Sequence, residues 1–493
     1  LTTFLLERHY ALPRLVRGRP LLARAMAIFL TTVLFLFWFA LSWRPVFAAA
    51  SSIVTLVIVT YISNFKYDVL FEPLSFADFC LVPQILRHPD LYYARFLYEW
   101  PFWSGVAALL ASILLWFVLE PSVIPDFPYA TPIAAAGGIL AFLLSLYMLR
   151  GMSHLPPLAR ALRTLAPEAS IREDTARFGL YGGMCLHIVR WLATPPGRET
   201  PSLGERNHAW AAATPTERPA RPPLVIVIQS ESFLDLHNAG YAHWPLQNLE
   251  RARRRAEAHG RLVVPTSGAW TMRTEYSFLT GRNIQSYRFD ALDPYLRAAF
   301  RAPETAAQRL AELGYRAAFI HPFDIRFFQR HRLYPRFGFS RIIEQAAFEA
   351  KDRYGYYISD RAVTDRIIEL IDAAEKPTFI YCVTMENHNP WRRGRLPHIK
   401  NPLMQYKDHL RNADEMLGRV IERLDALDTE SIVCFYGDHV PIMRALAHPF
   451  PDNRTNYVIL RCGAAANARR VAEPPQPQTA GVEDLMAMIL KML

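Results

Sequence analysis

Cysteine is scarce in this chain: Cys80, Cys185, Cys382, Cys434 and Cys462 are the only five among 493 residues. Their number is odd, their spacing is wide and no CxxC pair occurs, so neither a disulfide framework nor a thiolate zinc site is readable. They read as small buried apolar side chains. The G-x-S-x-G elbow of serine hydrolases is missing too. No apolar stretch carries the flanks and cleavage site of a secretory leader. Charge is thin, with 20% Asp, Glu, Lys and Arg against 51% hydrophobic and 13% aromatic residues. That balance is too apolar for a wholly soluble enzyme and too polar for a pure transporter. It implies a membrane part joined to a soluble part.

The net charge of +10 does not point to nucleic acid, because the basic residues are dispersed. Arginines beside apolar stretches are read as contacts to anionic lipid headgroups. Four such stretches, about 25–43, 46–62, 101–119 and 131–149, are each long enough to span a bilayer core of roughly 30 Å. Trp38, Trp43, Trp100, Trp103 and Trp116 cluster at their ends, as interfacial aromatics do. Residues 1–150 are therefore expected to be a multi-span helical domain. Leu1 to Leu6 resembles the tail of a further span, so an upstream one is expected to be missing. Arg8, Arg14, Arg17, Arg19 and Arg24 precede the first stretch, and positive-inside counting places that arm in the cytoplasm. Residues 64–99, with Phe65, Tyr67, Phe71, Phe76, Phe79, Tyr92 and Tyr93 among charges, are expected to lie along the membrane surface. Residues 151–222 read as a juxtamembrane connector, ending in a Pro- and charge-rich linker from Thr194 to Pro223.

From Leu224 the pattern alternates strands with helices. Strands are expected at Leu224–Ile228, Arg316–Ile320, Thr378–Val383 and Ser431–Tyr436. Helices are expected at Pro245–His259, closed by Gly260, and at Glu304–Leu313, Ser359–Ala374, Met404–Leu427 and Val482–Met492. This predicts an α/β domain over 223–493 with a mostly parallel central sheet flanked by helices.

In such a sheet, ligands bind beyond the carboxyl ends of the strands. The four strands are followed by Glu231, by His321, by Glu386 and His388, and by Asp438 and His439. Four acid or imidazole endings on one sheet edge suit a divalent cation such as Mn²⁺, Mg²⁺ or Zn²⁺. Glu231, Asp438 and His439 would be side-chain ligands. Thr271 follows the small Ser267-Gly268-Ala269 turn at an expected helix start, where free N–H groups favour an anion. As a fourth ligand it would become a metal-activated nucleophile. Thr274 and Thr280 read as structural, and Glu275 as holding the turn.

From about 224 to 490 the chain resembles the lipoteichoic acid synthase and phosphoglycerol transferase group of the alkaline phosphatase–sulfatase superfamily. The resemblance rests on Gln229-Ser-Glu231-Ser-Phe233, Thr271-Met-Arg-Thr-Glu275-Tyr, His321 with Phe327-Phe-Gln-Arg330, Glu386-Asn-His388-Asn-Pro-Trp391 and Gly437-Asp438-His439. It implies a nucleophilic Thr271 on one divalent metal, Mn²⁺ favoured, and a phosphate and glycerol pocket lined by His321, Arg330 and His388. The implied reaction passes glycerol phosphate from phosphatidylglycerol, or another anionic phospholipid, through phosphothreonine to a glycan or polyglycerol-phosphate acceptor. The implied site is a bacterial inner membrane, with the catalytic domain on its outer side. That conflicts with the positive-inside count, and the resemblance is preferred because long domains translocate largely regardless of charge.

The chain departs from those synthases at Phe328, where they carry tryptophan, and in showing four spans rather than five. No Cys- or Ser-x-Pro-x-Arg stretch exists to make formylglycine, which excludes that sulfatase chemistry. Ligands for a two-zinc phosphatase are too few. The alternatives are a phosphoethanolamine transferase, whose cysteine-rich domain is missing here, and an inactive sensor or scaffold that keeps the fold.

Overall fold

The computed structural model describes residues 21–88, 98–124, 130–153, 164, 170–193, 208–213, 222–239, 244–284, 291–298, 303–443, 446, 452–464 and 475–493. The chain divides into two compact units, Leu1–Arg198 and Glu199–Leu493.

In the first unit, α1 (Leu21–Ser42), α2 (Pro45–Leu70) and α3 (Trp100–Leu119) are long and apolar enough to cross a membrane. The fourth expected stretch lies within α4 (Ala130–Ser153). Arg44 and Pro45 break the chain between α1 and α2, and Glu120 locks the break. Its carboxylate accepts the free N–H groups of Val46 and Phe47 at the start of α2, each at 2.8 Å. Trp116 donates to the same carboxylate at 2.8 Å. Arg44 Nε in turn donates to the Glu120 carbonyl at 2.7 Å, with its guanidinium 4.1 Å from the Phe117 ring centre. An acid at a helix N-terminus and a cation on a carbonyl-rich helix end are each favoured by the peptide dipoles.

Two expectations for this half change. Helix α2 runs through Leu70, so Phe65 and Tyr67 belong to it rather than to a separate surface segment. Apolar spacing continues across 62–70, and the turn comes only at Phe71, in a left-handed conformation (φ 55°). Tyr92 and Tyr93 lie outside the described residues. The 151–222 connector contains a 23-residue helix, α5 (Ile171–Ala193), bent where Gly179 takes φ 80°. It packs on α1, where a Cβ on Gly182 would come within 3.3 Å of the Ala23 carbonyl. Most of the expected 194–223 linker lies outside the described residues.

In the second unit an eight-stranded sheet runs in the order β10-β2-β9-β8-β1-β7-β3-β4. The strands are β1 (Leu224–Ser230), β2 (Ala258–Val263), β3 (Arg316–Ile320), β4 (Arg341–Ile343), β7 (Thr378–Val383), β8 (Ser431–Gly437), β9 (Thr455–Cys462) and β10 (Gln478–Gly481), while β5 (Arg353–Tyr354) and β6 (Tyr357–Ile358) form a separate hairpin. Strands β8, β1, β7, β3 and β4 are parallel, and only β9 runs against its neighbours. The central strands are continuous β-branched and aromatic runs because helices cover them.

The named helices of this unit are α6 (Gln247–Arg253), α7 (Thr271–Thr280), α8 (Ala306–Glu312), α9 (Asp360–Asp372), α10 (Pro402–Asp425) and α11 (Leu485–Leu490). Helices α9 and α10 bury Val363, Ile367 and Leu370, and Leu410, Leu417 and Leu424, at helical spacing against Ile226, Ile228, Ile380 and Phe435 of the sheet. Ser359 caps α9 and Asn401 caps α10 through side-chain oxygens.

The expected helix over Pro245–His259 is corrected. It ends at Arg253, and Ala258–Val263 is strand β2, paired with β9 and β10. Gly260 is not a helix stop: with φ 148° it faces Gln478 so closely that a Cβ would lie 2.0 Å from that carbonyl oxygen. Strands β4, β5, β6, β9 and β10 were not read from the sequence.

At the end of β8, a Cβ on Gly437 would fall 2.1 Å from the Phe233 carbonyl oxygen, a backbone atom that cannot rotate away. Gly437→Ala is expected to lower the thermal unfolding midpoint by roughly 2–10 °C, as overpacking does. Differential scanning calorimetry of the full chain in detergent measures it, and an unchanged midpoint would show that the contact relaxes freely.

Candidate active site

Strands β3, β7, β1 and β8 end level at one edge, since Ile320 pairs with Cys382, Gln229 with Val383 and Tyr436, and Ser230 with Gly437. That edge carries Glu231, His321, His388, Asp438 and His439. Helix α7 brings Thr271 to it. Gly268 (φ 103°) and Trp270 (φ 63°) both take left-handed conformations in the preceding turn. The Thr266 hydroxyl bonds the Ala269 carbonyl, and the Arg273 guanidinium lies 4.6 Å from the Trp270 ring centre. Trp270 is the N-cap residue, so Thr271 is the first helical residue and its hydroxyl is not used for capping.

Residues 272–280 of α7 are all buried, which fixes its axis. Thr274 donates to the Asp438 carbonyl at 2.9 Å and Thr280 to the Tyr276 carbonyl at 2.7 Å. Both threonines are structural, as expected. Underneath, Gln229 accepts from the hydroxyls of Tyr381 (2.9 Å) and Tyr436 (2.8 Å), and its amide reaches the Thr271 carbonyl at 3.5 Å. The Phe278 ring stacks on Tyr381 at 5.2 Å.

Glu231, Asp438 and His439 each offer an atom within 4.8 Å of the others, all buried. The Thr271 hydroxyl makes a long 3.5 Å contact to Glu231 Oε2. Ser232 ties the two acids together: its N–H donates to Asp438 Oδ1 at 2.7 Å and its hydroxyl to Glu231 Oε1 at 2.8 Å. It does so from a left-handed conformation (φ 52°), which costs a serine on the order of 1 kcal/mol. Tyr406 holds the Ser232 carbonyl at 3.0 Å. Burial, and then the facing Asp438 carboxylate, push Glu231 well above the usual range, and burial pushes Asp438 up. Among the described residues, the fully buried Asp438 Oδ2 has no hydrogen-bond partner. Two buried carboxylates with an orphaned oxygen call for a cation, and this donor set fits a divalent one.

The histidine tautomers fit as well. His439 Nδ1 faces the Val440 carbonyl at 3.1 Å, so it carries the proton and leaves Nε2 bare, 3.4 Å from Asp438 Oδ2 and 3.5 Å from Glu231 Oε1. His321 Nδ1 likewise faces the Val383 carbonyl at 3.0 Å, and His388 Nδ1 the Asn389 carbonyl at 2.7 Å. The buried Nε2 of His321 has no hydrogen-bond partner among the described residues. Burial, and then Arg330, push His321 down to about 3, and burial pushes His388 down to about 4. Both imidazoles are neutral at pH 7.

Arg330 sits beside this group, buried, with Nε at 3.0 Å from Glu275 Oε2 and Nη2 on Oε1. Tyr295 and Tyr334 also donate to Glu275. Burial works against both charges; the pairing outweighs it, holding Glu275 below and Arg330 above their ordinary values. Glu275 therefore holds Arg330 and is not among the metal-ligand candidates. Glu386, which follows β7, turns its carboxylate to His409 (2.7 Å), Asn412 (2.8 Å) and the Asp360 N–H (2.6 Å). Of that loop only His388 joins the site. Sequence reasoning missed Arg395, which donates to the carbonyls of Glu386, His388 and Pro390 and so fixes the loop. Burial pushes it down to about 10, still charged at neutral pH.

The sulfatase family profile matches residues 223–492. The chain belongs to the sulfatase family. It is 32% identical over 474 residues to the capsular polysaccharide biosynthesis protein RkpI of Rhizobium meliloti strain 1021, covering 95% of this chain and 87% of that protein. It is 25% identical over 404 residues to a putative cyclic beta-1,2-glucan modification protein of the same organism, covering 78% of this chain and 62% of that one. Similar solved structures include the lipoteichoic acid synthase LtaP from Listeria monocytogenes (TM-score 0.44, 21% identity, 56% of this chain and 72% of that one). The Streptococcus pyogenes phosphoglycerol transferase GacH in complex with sn-glycerol-1-phosphate is another (TM-score 0.44, 21% identity, 58% and 77%).

The depressed histidines set an acid limit on this fold. Below about pH 6.5 an unfolded imidazole takes up a proton, whereas folded His321 and His388 refuse one until about 3 and about 4. The unfolded state then binds more protons, so stability falls on acidification, by up to about 1.4 kcal/mol per pH unit per histidine. His321→Asn is expected to flatten the decline of the unfolding midpoint between pH 6.5 and 4.5. An unchanged slope in calorimetry would show that His321 is protonated in the fold.

Proposed function

We propose that the protein is a membrane-bound phosphoglycerol transferase that moves glycerol phosphate from phosphatidylglycerol through phosphothreonine at Thr271 to a glycan or polyglycerol-phosphate acceptor. The observation that carries this is Thr271 at the start of a buried helix, its hydroxyl against a Glu231–Asp438–His439 cluster and unused for capping. Those three side chains with Thr271 would hold one divalent cation, Mn²⁺ favoured, with Mg²⁺ or Zn²⁺ possible from the same donors. When bound, the cation lowers the pKa of the threonine hydroxyl and offsets charge on the phosphoryl oxygens.

The chain's own groups supply the rest. The free N–H groups of α7 and the Arg330 guanidinium face the negative charge of the phosphodiester. The Thr271 oxygen forms its bond to phosphorus as the bond from phosphorus to diacylglycerol oxygen breaks. The threonine proton passes to a bare imidazole Nε2, of His321 or His388, whose proton affinity rises once the phosphodiester's negative charge lies beside it, and from there to the departing oxygen. In the second half the same imidazole takes the proton of the acceptor hydroxyl, whose oxygen displaces Thr271 from phosphorus, and hands that proton to the departing threonine oxygen. That the 32% identical relative is a capsular polysaccharide biosynthesis protein supports a glycan as acceptor. The first unit's apolar helices support multi-pass anchoring in a bacterial inner membrane, with the catalytic unit on the outer side where the lipid donor is consumed. A reporter fused after Leu493 should be active outside the cytoplasm and silent inside.

The decisive experiment incubates the purified full chain in detergent with Mn²⁺ and headgroup-labelled phosphatidylglycerol or phosphatidylethanolamine. Peptide mass analysis is expected to find a glycerol phosphate adduct on Thr271 from phosphatidylglycerol, and Thr271→Ala should lose turnover by roughly a thousandfold or more. An adduct only from phosphatidylethanolamine would make the enzyme a phosphoethanolamine transferase. Wild-type turnover in Thr271→Ala would remove the mechanism.

A further inference from the structure

The β5–β6 hairpin presents Tyr356 at its tip, and three arginines converge on that residue. Arg353 donates to its carbonyl at 2.7 Å. Arg392 donates through Nε to its hydroxyl at 3.0 Å and lies 5.5 Å from its ring centre. Arg395 lies 5.4 Å from the same ring. Gly355, with φ 70°, makes room for Arg395, whose Cγ would lie 3.0 Å from a Cβ there. Arg393 adds an exposed fourth cation beside Arg392. Among the described residues none of these four forms an ion pair, whereas Arg253, Arg255, Arg366 and Arg419 each meet a carboxylate. The two terminal nitrogens of Arg392 have no hydrogen-bond partner there either, although stacking and the Nε bond already fix the plane of the guanidinium.

This cluster borders the site. Tyr357, the next residue, packs on His388 with ring centres 5.5 Å apart. Its ring continues to Phe323 (6.3 Å) and from there to Phe327 (5.9 Å), alongside His321. We infer that the arginines around Tyr356 and this strip of rings form an acceptor subsite for an acidic glycan, one carrying carboxylate, phosphate or sulfate groups.

The inference rests on the proposed transfer reaction. Phosphatidylglycerol carries a single phosphodiester, which must lie at Thr271, so a second group of unpaired cations serves the other substrate. Planar guanidinium forks match oxyanions, and aromatic rings with polar edges beside them match sugar rings, apolar across their C–H faces and polar around the rim. An acyl chain would need a groove free of such cations.

Binding of labelled hexagalacturonate and of neutral maltohexaose to the full chain in uncharged detergent tests this, with fluorescence anisotropy as the readout. Wild type and Thr271→Ala are expected to bind the acidic sugar alone, with affinity falling as salt rises. The double variant R353A/R392A is expected to bind roughly tenfold more weakly at an unchanged unfolding midpoint. Arg392→Lys should fall between, because it keeps charge and loses the fork. Equal binding of maltohexaose, or a double variant within twofold of wild type, overturns the subsite. So does binding confined to phosphatidylglycerol vesicles, which would assign the arginines to the membrane surface. Should Thr271→Ala retain transfer, the proposed reaction falls, and the sugar-binding result still decides the subsite on its own.

Discussion

Everything at this site depends on keeping two carboxylates buried and face to face. Glu231 and Asp438 leave adjacent parallel strands whose ends are level, so backbone pairing brings them side by side. Left to themselves the two acids would take up a proton: burial raises both, and the facing Asp438 carboxylate raises Glu231 further. Ser232 stops them from turning apart, because one residue donates to both from a strained conformation. Strain concentrated where charge is held in place is the usual pattern at reactive sites. The sheet supplies the rigidity, and the tension it holds is what favours a cation.

The cationic side of the site is built on the opposite plan. Arg330 is buried and satisfied, its charge matched by Glu275 and backed by two tyrosine hydroxyls. A guanidinium so paired is a fixed donor array that need not reorganise as charge develops nearby. The three imidazoles are fixed in the same way, each by a backbone carbonyl on Nδ1. Those bonds decide the tautomer, and the tautomer decides that every Nε2 offers a lone pair. The site thus presents bare imidazole nitrogens beside a paired arginine, an arrangement suited to moving protons around a phosphoryl group.

How much of this was legible in the sequence follows from what the sequence encodes locally. The parallel strands were readable because fully covered strands are unbroken apolar runs, and each one's last residue points directly to the chemistry beyond it. Thr271 was readable because small residues before a helix mark its start. The outer strands on the β10 side were not readable: β2 follows an Arg-rich helix, and its glycine is defined only by the approach of β10, a partner more than 200 residues away. Residues that work through others stayed invisible for the same reason. Ser232 acts on two carboxylates and Arg395 on backbone carbonyls, and Glu386 looked like a site acid until α9 and α10 claimed its carboxylate. A residue's type announces that it can do chemistry, and only its partners show whether it is still available.

Availability also separates the two kinds of arginine in the catalytic unit. One kind is consumed in ion pairs that hold the fold, as Arg255 is by Asp425 and Arg461 by Glu430. The other kind gathers at Tyr356, forms no ion pair among the described residues, and is fixed there by an aromatic ring and by carbonyls instead. Neutral partners set the geometry of a guanidinium without discharging it, which an acid partner would do. A protein that needed the hairpin only for stability would have gained more from a carboxylate at that position. Holding unpaired charge beside His388 fits a counter-charge that arrives with the inferred acidic acceptor.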